Sequence, residues 1–277
     1  MREALCGLLV AIALPLAACA TAPPPALTPL DYLPALHGDY FPLQSRAADH
    51  LYHIYIRYPE DYSKEPVRRY PIVYLLDGDS AFPLLAPQHL FIHYDDGLPE
   101  AIIVGIAYGS FASPQNRRHF DFSPPSGRFD EGGAPAFERF LRTELIPAVE
   151  ARVRADSTRR VLVGQSRGGG FVLYSAFTDP DLFWARIASS PTLRPGRELY
   201  FGLPAPAVRR DLRLIVADGT RDDADLRPDT VAWQKAWQGR KTPWQVKTIT
   251  LEGGSHSADL PNVYRQAMDW LFDKNPK

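Results

Sequence analysis

Short apolar runs separated by turn residues recur through most of the chain. From His50 to Tyr58, Tyr and Ile return at every second position, the period of a strand with one covered face. Pro71 to Leu76 and Ala101 to Ile106 are nearly unbroken apolar runs that end in turn residues, and Arg160 to Val163, Arg186 to Ser189, Asp211 to Ala217 and Trp244 to Leu251 read as further strands. Between them, Ala134 to Arg152 sets Phe137, Phe140, Leu141, Leu145 and Val149 at helical spacing. That predicts one amphipathic helix with Glu138, Arg142 and Glu150 left to solvent. Gly168 to Phe177 and Pro261 to Phe272 are helices by the same reasoning. Trp233 and Trp237, four apart, read as a helix face packed on the core, with the lining of an acyl pocket as the other reading. Strands that alternate with helices and carry continuous apolar runs predict an α/β fold, a mainly parallel central sheet covered on both faces. No internal repeat and no linker after about residue 30 interrupts this pattern, so residues 31–277 are expected to form one domain.

The first thirty residues follow another rule. Arg2 supplies a positive charge, Leu5 to Leu16 form an apolar run, and Leu16-Ala17-Ala18-Cys19 closes it. This is similar to a bacterial lipoprotein signal. Residues 1–18 are then a signal peptide, and Cys19 a lipidated thiol anchoring the protein in the cell envelope. Ala20 favours the outer membrane, with the protein facing the periplasm. Residues 19–30, with Pro23, Pro24, Pro25 and Pro29, read as an extended tether. Cys6 and Cys19 are the only cysteines, so export leaves no pair for a disulfide and no thiolates for structural zinc. The net charge of −1 carries no basic stripe, which argues against nucleic acid as a partner. Nothing in the chain points to an obligate protein partner or to a cofactor.

The chemistry gathers around Gly164-Gln165-Ser166-Arg167-Gly168, a G-x-S-x-G pattern between the strand ending at Val163 and the helix that follows. A sharp strand-to-helix turn there forces Ser166 into a strained backbone and presents its hydroxyl at the carboxyl end of the sheet. Only small neighbours fit such a turn. A serine hydroxyl needs a base to become a nucleophile. His256 lies in Glu252-Gly253-Gly254-Ser255-His256-Ser257, between the last strand and the last helix, and it alone among the histidines follows the turn in the chain. An acid to orient it is expected in Asp218-Gly219-Thr220-Arg221-Asp222-Asp223. Asp222 is favoured and Asp223 is next, while Asp218 reads as a turn residue; a serine–histidine dyad is the remaining option. The Arg167 amide is one expected oxyanion donor, and the second belongs in Asp77-Gly78-Asp79. Gly78 and Arg118 are candidates for contact with substrate. His89 and His93, four apart near Asp95 and Asp96, have metal-ligand spacing, but apolar neighbours favour a core role and no metal is expected.

Five blocks, in order, resemble the putative esterase family that includes enterochelin esterases, S-formylglutathione hydrolase, feruloyl esterases and mycolyltransferases. They are Tyr70 to Gly78, Arg118 to Pro124 in the form Arg-x-x-Asp-x-Ser-Pro, Phe137 to Val149, the serine turn and the histidine loop. The resemblance spans about residues 50 to 272 and implies an α/β-hydrolase fold and esterase activity on a small-molecule ester. It also implies Asp79 as the second oxyanion amide and Asp222 as the acid. Export and the Arg118–Asp121 block look most similar to the periplasmic siderophore esterases; Arg117, Arg118 and Arg167 are candidates to meet an anionic ligand, while for Arg118 with Asp121 a structural tie between loops is the favoured reading. Where many relatives carry aromatic residues after a Ser-Pro, this chain has Ser190-Pro191-Thr192-Leu193. The competing expectations are an acyltransferase using the same acyl-enzyme and a ligand-binding lipoprotein without turnover.

Overall fold

A computed structural model of the chain describes Ala35 and residues 37–273. The signal, Cys19 and the tether lie outside these residues. Eight strands form one sheet in the order β1-β2-β4-β3-β5-β6-β7-β8. In chain order they are β1 Gly38–Ser45, β2 His50–Arg57, β3 Tyr70–Leu75, β4 Ile102–Ala107, β5 Ala155–Gln165, β6 Ala185–Ser189, β7 Leu212–Arg221 and β8 Trp244–Ser255. β1 and β2 pair antiparallel, β2 pairs antiparallel with β4, and every other neighbour is parallel. With the helices packed on it, this is the α/β-hydrolase fold. Among the described residues no helix is long and apolar enough to cross a membrane.

The unbroken apolar runs follow from covering both faces. Along β3 and β4, Ile72, Tyr74, Ile102, Val104 and Ile106 belong to one core, while Val73, Leu75 and Ile103 belong to the other. Side chains alternate across a strand, so a strand buried twice must be apolar at successive positions. The first core receives α3 Ala134–Phe140, α5 Arg167–Thr178 and α7 Arg227–Trp237. The second receives α1 Gly78–Asp96 and α8 Leu260–Phe272. Two short helices, α2 Arg118–Asp121 and α6 Arg197–Phe201, lie in the connections.

The expected helix over 134–152 departs from plan at its middle. After α3 the chain widens into a π-helical turn, Leu141–Leu145, before α4 Ile146–Glu150. Pro147 has no N–H, and its ring would collide with the carbonyl four residues back; the wider turn removes that conflict. Glu138 is not wet as expected. It is half-buried against α5, where its carboxylate accepts from the Thr178 hydroxyl, and burial raises its pKa above the ordinary value. Trp233 and Trp237 are core: both indole N–H groups donate to the Tyr200 carbonyl.

His89, wholly buried on α1, is bonded at both ring nitrogens, Nδ1 with the Tyr264 hydroxyl at 2.8 Å and Nε2 with the Pro99 carbonyl at 3.1 Å. His93 Nδ1 meets the Leu98 carbonyl. Among the described residues no three His, Cys, Asp or Glu side chains gather as a metal group. Burial, and then the Arg57 cation, push the His89 pKa down to about 3. The unfolded chain takes up a proton at this residue below about pH 6.5 while the native state does not. The stability this difference confers is therefore full above that pH and lost as the pH falls towards 3. Urea unfolding at pH 7 and pH 5 is expected to show the wild type losing about 2 kcal/mol more than His89→Gln. Equal losses would contradict it.

Candidate active site

Ser166 sits between the end of β5 and the start of α5 with φ 58° and ψ −120°, a strained conformation for a residue with a Cβ. The surroundings over-determine it. The Ser166 amide donates to the Ser189 carbonyl at 2.9 Å, and the Ser166 carbonyl accepts from the amides of Gly170 and Thr192. Space is equally strict: a Cβ on Gly164 would stand 2.4 Å from the Gly168 carbonyl oxygen, and one on Gly169 would stand 2.8 Å from the Ser189 carbonyl oxygen.

His256 comes from the loop after β8. Its Nε2 lies 2.9 Å from Ser166 Oγ and its Nδ1 lies 2.6 Å from Asp222 Oδ1. With Nδ1–H donating to the carboxylate, Nε2 carries the lone pair that faces the serine hydroxyl; the hydrogen-bond network assigns this tautomer. The loop is held from behind by Gln165 Nε2, which donates to the His256 carbonyl at 2.7 Å, and by Asp259, which accepts from the Ser255 amide at 2.6 Å. Burial alone would raise the Asp222 carboxyl. Hydrogen bonds from the Ser190 hydroxyl, His256 and the Asp223 amide outweigh it and hold the group below the usual carboxylate range. Its side chain is almost covered, whereas about a quarter of His256 remains open to solvent.

The other two aspartates do different work. Asp223 folds its own loop by accepting from the Asp225 amide at 2.8 Å. Asp218 is not a turn residue: it lies buried within β7 and accepts from Arg227 Nε at 2.9 Å, Gln234 Nε2 at 3.1 Å and Thr250 Oγ1 at 2.8 Å. That cluster ties β7, β8 and α7 beneath the acid loop.

The amide of Arg167 is the first of α5 and that of Asp79 lies in the first turn of α1, so neither has an intrahelical acceptor. Both helices start at the carboxyl ends of adjacent strands. A Cβ on Gly168 would come within 3.0 Å of Asp77 Oδ2, so the two turns lie close together. The Asp79 side chain is occupied, accepting from the Tyr108 amide at 2.9 Å. Gly78 has a packing reason to be glycine, since a Cβ there would stand 2.6 Å from the Ile106 nitrogen. Arg118 does not bond Asp121. It grips Asp77 with two bonds, Nε to Oδ1 at 2.6 Å and Nη2 to Oδ2 at 2.9 Å, because the Asp77 turn brings a carboxylate beside it. Asp121 instead accepts from the hydroxyls of Tyr52 and Tyr108, with Arg117 at 3.4 Å. Beside the serine turn, a cavity of about 260 Å³ is lined by Leu76, Ala81, Leu84, Phe111, Val163 and Leu260, among others.

Sequence reasoning missed Ser190, Gln165 and Asp259 as parts of this site. Ser190, at φ 43°, directly follows β6 next to the serine turn; its place in Ser190-Pro191 after a strand was the signal available. Gln165, the last residue of β5, and Asp259, just before α8, left none, since a polar residue at the end of an element breaks no periodicity.

The fold and the hydrogen-bonded serine, histidine and aspartate place the chain in the class of α/β-hydrolase folds with a Ser-His-Asp arrangement. The family model described as "Putative esterase" matches residues 45–264, and the chain belongs to that family. It is 32% identical over 169 residues to the ferri-bacillibactin esterase BesA of Bacillus subtilis, which covers 54% of this chain and 57% of that protein. With the apo-salmochelin esterase of Escherichia coli it shares 33% identity over 143 residues, 47% of this chain and 44% of that one. The matched region thus spans about half the length of these curated relatives. Among solved structures, siderophore hydrolase EstB from Aspergillus nidulans superposes with a TM-score of 0.76 at 20% identity, covering 92% of this chain and 99% of that one, a likeness of fold.

Proposed function

We propose that the protein is a serine esterase acting on a siderophore-type or other small-molecule carboxylic ester. The observation that carries this reading is the unbroken line from Asp222 through His256 to Ser166 Oγ, with both contacts within 3 Å. His256 Nε2 takes the hydroxyl proton as Ser166 Oγ bonds the ester carbonyl carbon, and Asp222 stabilises the imidazolium that forms. The tetrahedral oxyanion then faces the amides of Arg167 and Asp79, whose hydrogen bonds strengthen as charge develops. Collapse breaks the bond to the alcohol oxygen, which leaves with the proton from Nε2. Water adds to the acyl-enzyme by the same proton route and releases the acid. The substrate class is supported by the names of the relatives and by family membership.

The test is a panel of short acyl esters, feruloyl esters, thioesters and siderophore trilactones, with products quantified in the presence and absence of an added alcohol. Hydrolysis with the trilactones among the best substrates, unchanged by the alcohol, is expected. Acyl transfer to the alcohol would replace hydrolysis with the transferase reading. Tight binding without turnover, indifferent to Ser166→Ala, would reject catalysis.

A further inference from the structure

We infer that the Arg167 side chain is a specificity-determining residue that selects esters carrying an anionic group close to the scissile carbonyl, an inference resting on the esterase reading of Ser166. The residue directly follows the serine, so its guanidinium is tethered within one side chain's length of the reacting centre. It is half-buried, and among the described residues the one hydrogen bond of its guanidinium runs from Nη1 to Ser123 Oγ at 3.1 Å. That oxygen is neutral and already donates to the His119 carbonyl.

Other arginines at this end of the sheet have carboxylates. Arg118 has Asp77, Arg227 has Asp218, Arg117 has Asp121, and Arg194 and Arg197 share Asp229. Among the described residues Arg167 is in no ion pair. The acidic groups nearest in its field, Asp130 and Glu131, are engaged by Arg128 and His119. Burial, and then the neighbouring Arg118 cation, lower the Arg167 pKa from its ordinary value, the mark of a cation without its counter-charge. Partly desolvating a cation without an anion is costly, and a guanidinium fork matches a planar carboxylate or a phosphate. A ligand anion seated against the Arg167 guanidinium, beside the Ser123 loop, supplies the missing charge and positions the ester over Ser166.

The experiment compares two 4-nitrophenyl esters of equal acyl length, the neutral valerate and the glutarate monoester with its ionised terminal carboxylate. The readout is the anionic-to-neutral ratio of kcat/KM, in which any effect of substitution on the serine turn itself cancels. In Arg167→Gln the ratio is expected to fall at least about tenfold, the scale of one charged hydrogen bond, mainly through KM. Arg167→Lys keeps the charge and guards against a glutamine variant that does not fold; its ratio lies between the two. A ratio unchanged in Arg167→Gln, or a wild type that hydrolyses the valerate and rejects the glutarate, overturns the inference while leaving the esterase reading intact. A wild type that hydrolyses neither ester counts against both.

Discussion

Replacing His256 by alanine is expected to lower kcat/KM for the protein's ester substrates by at least about 10⁴-fold, and Ser166→Ala by as much. In the proposed mechanism the two groups act as one device. A serine hydroxyl without a base is a poor nucleophile at neutral pH, and a base without the hydroxyl has nothing to activate. With Nε2 at 2.9 Å from Oγ, removal of either partner removes the same step. The double variant is therefore expected to be no worse than either single one, whereas independent contributions would multiply. Residual activity is expected from the oxyanion amides and the cavity alone. A multiplicative loss in the double variant would mean that His256 and Ser166 serve different steps.

The second large effect separates two aspartates only four residues apart. Asp222→Asn keeps the shape of the side chain but removes the charge that fixes the Nδ1–H tautomer and stabilises the imidazolium. A loss of about 10³ to 10⁴ in kcat with little change in unfolding midpoint is expected. Asp218→Asn should do the reverse. Its carboxylate is buried and holds three donors from α7 and β8, so the substitution is expected to cost about 1–3 kcal/mol of stability while folded protein turns over within a few-fold of wild type. Steady-state kinetics beside thermal melts would read both. Asp222→Asn at near-wild-type kcat would reduce the machinery to a serine–histidine dyad.

The candidate nucleophile, base and acid, which the structure brings together, were readable in the chain because each sits where strand chemistry stops. Ser166 is flanked by glycines that steric contact demands, and His256 and Asp222 lie in the loops that close the last two parallel strands. The core strands were readable for a related reason: double burial leaves a run such as Ile72 to Leu76 no room for polar residues. The misses were of another kind. β1 is an edge strand that is largely exposed and carries Gly38 and Pro42, so it shows little apolar alternation. α1 contains Pro83 and Pro87, which read as helix breakers, although burial of Ala81, Leu85, Ala86 and Leu90 sustains the helix around them. The exchange of partners at Arg118, from Asp121 to Asp77, was invisible because an ion pair 41 residues apart in sequence is set by how the fold brings the turn after β3 beside α2. Charge says that an arginine will find a carboxylate, but only the fold says which.

In the proposed mechanism the hydroxyl of Ser166 is made nucleophilic by the histidine and aspartate hydrogen-bonded behind it. Labelling of the purified protein with a fluorophosphonate, read by mass spectrometry of its peptides, tests this most directly. One stoichiometric adduct on Ser166 is expected, lost in Ser166→Ala and slowed by orders of magnitude in His256→Ala. An unlabelled wild type, or an adduct that forms equally well without His256, would contradict it.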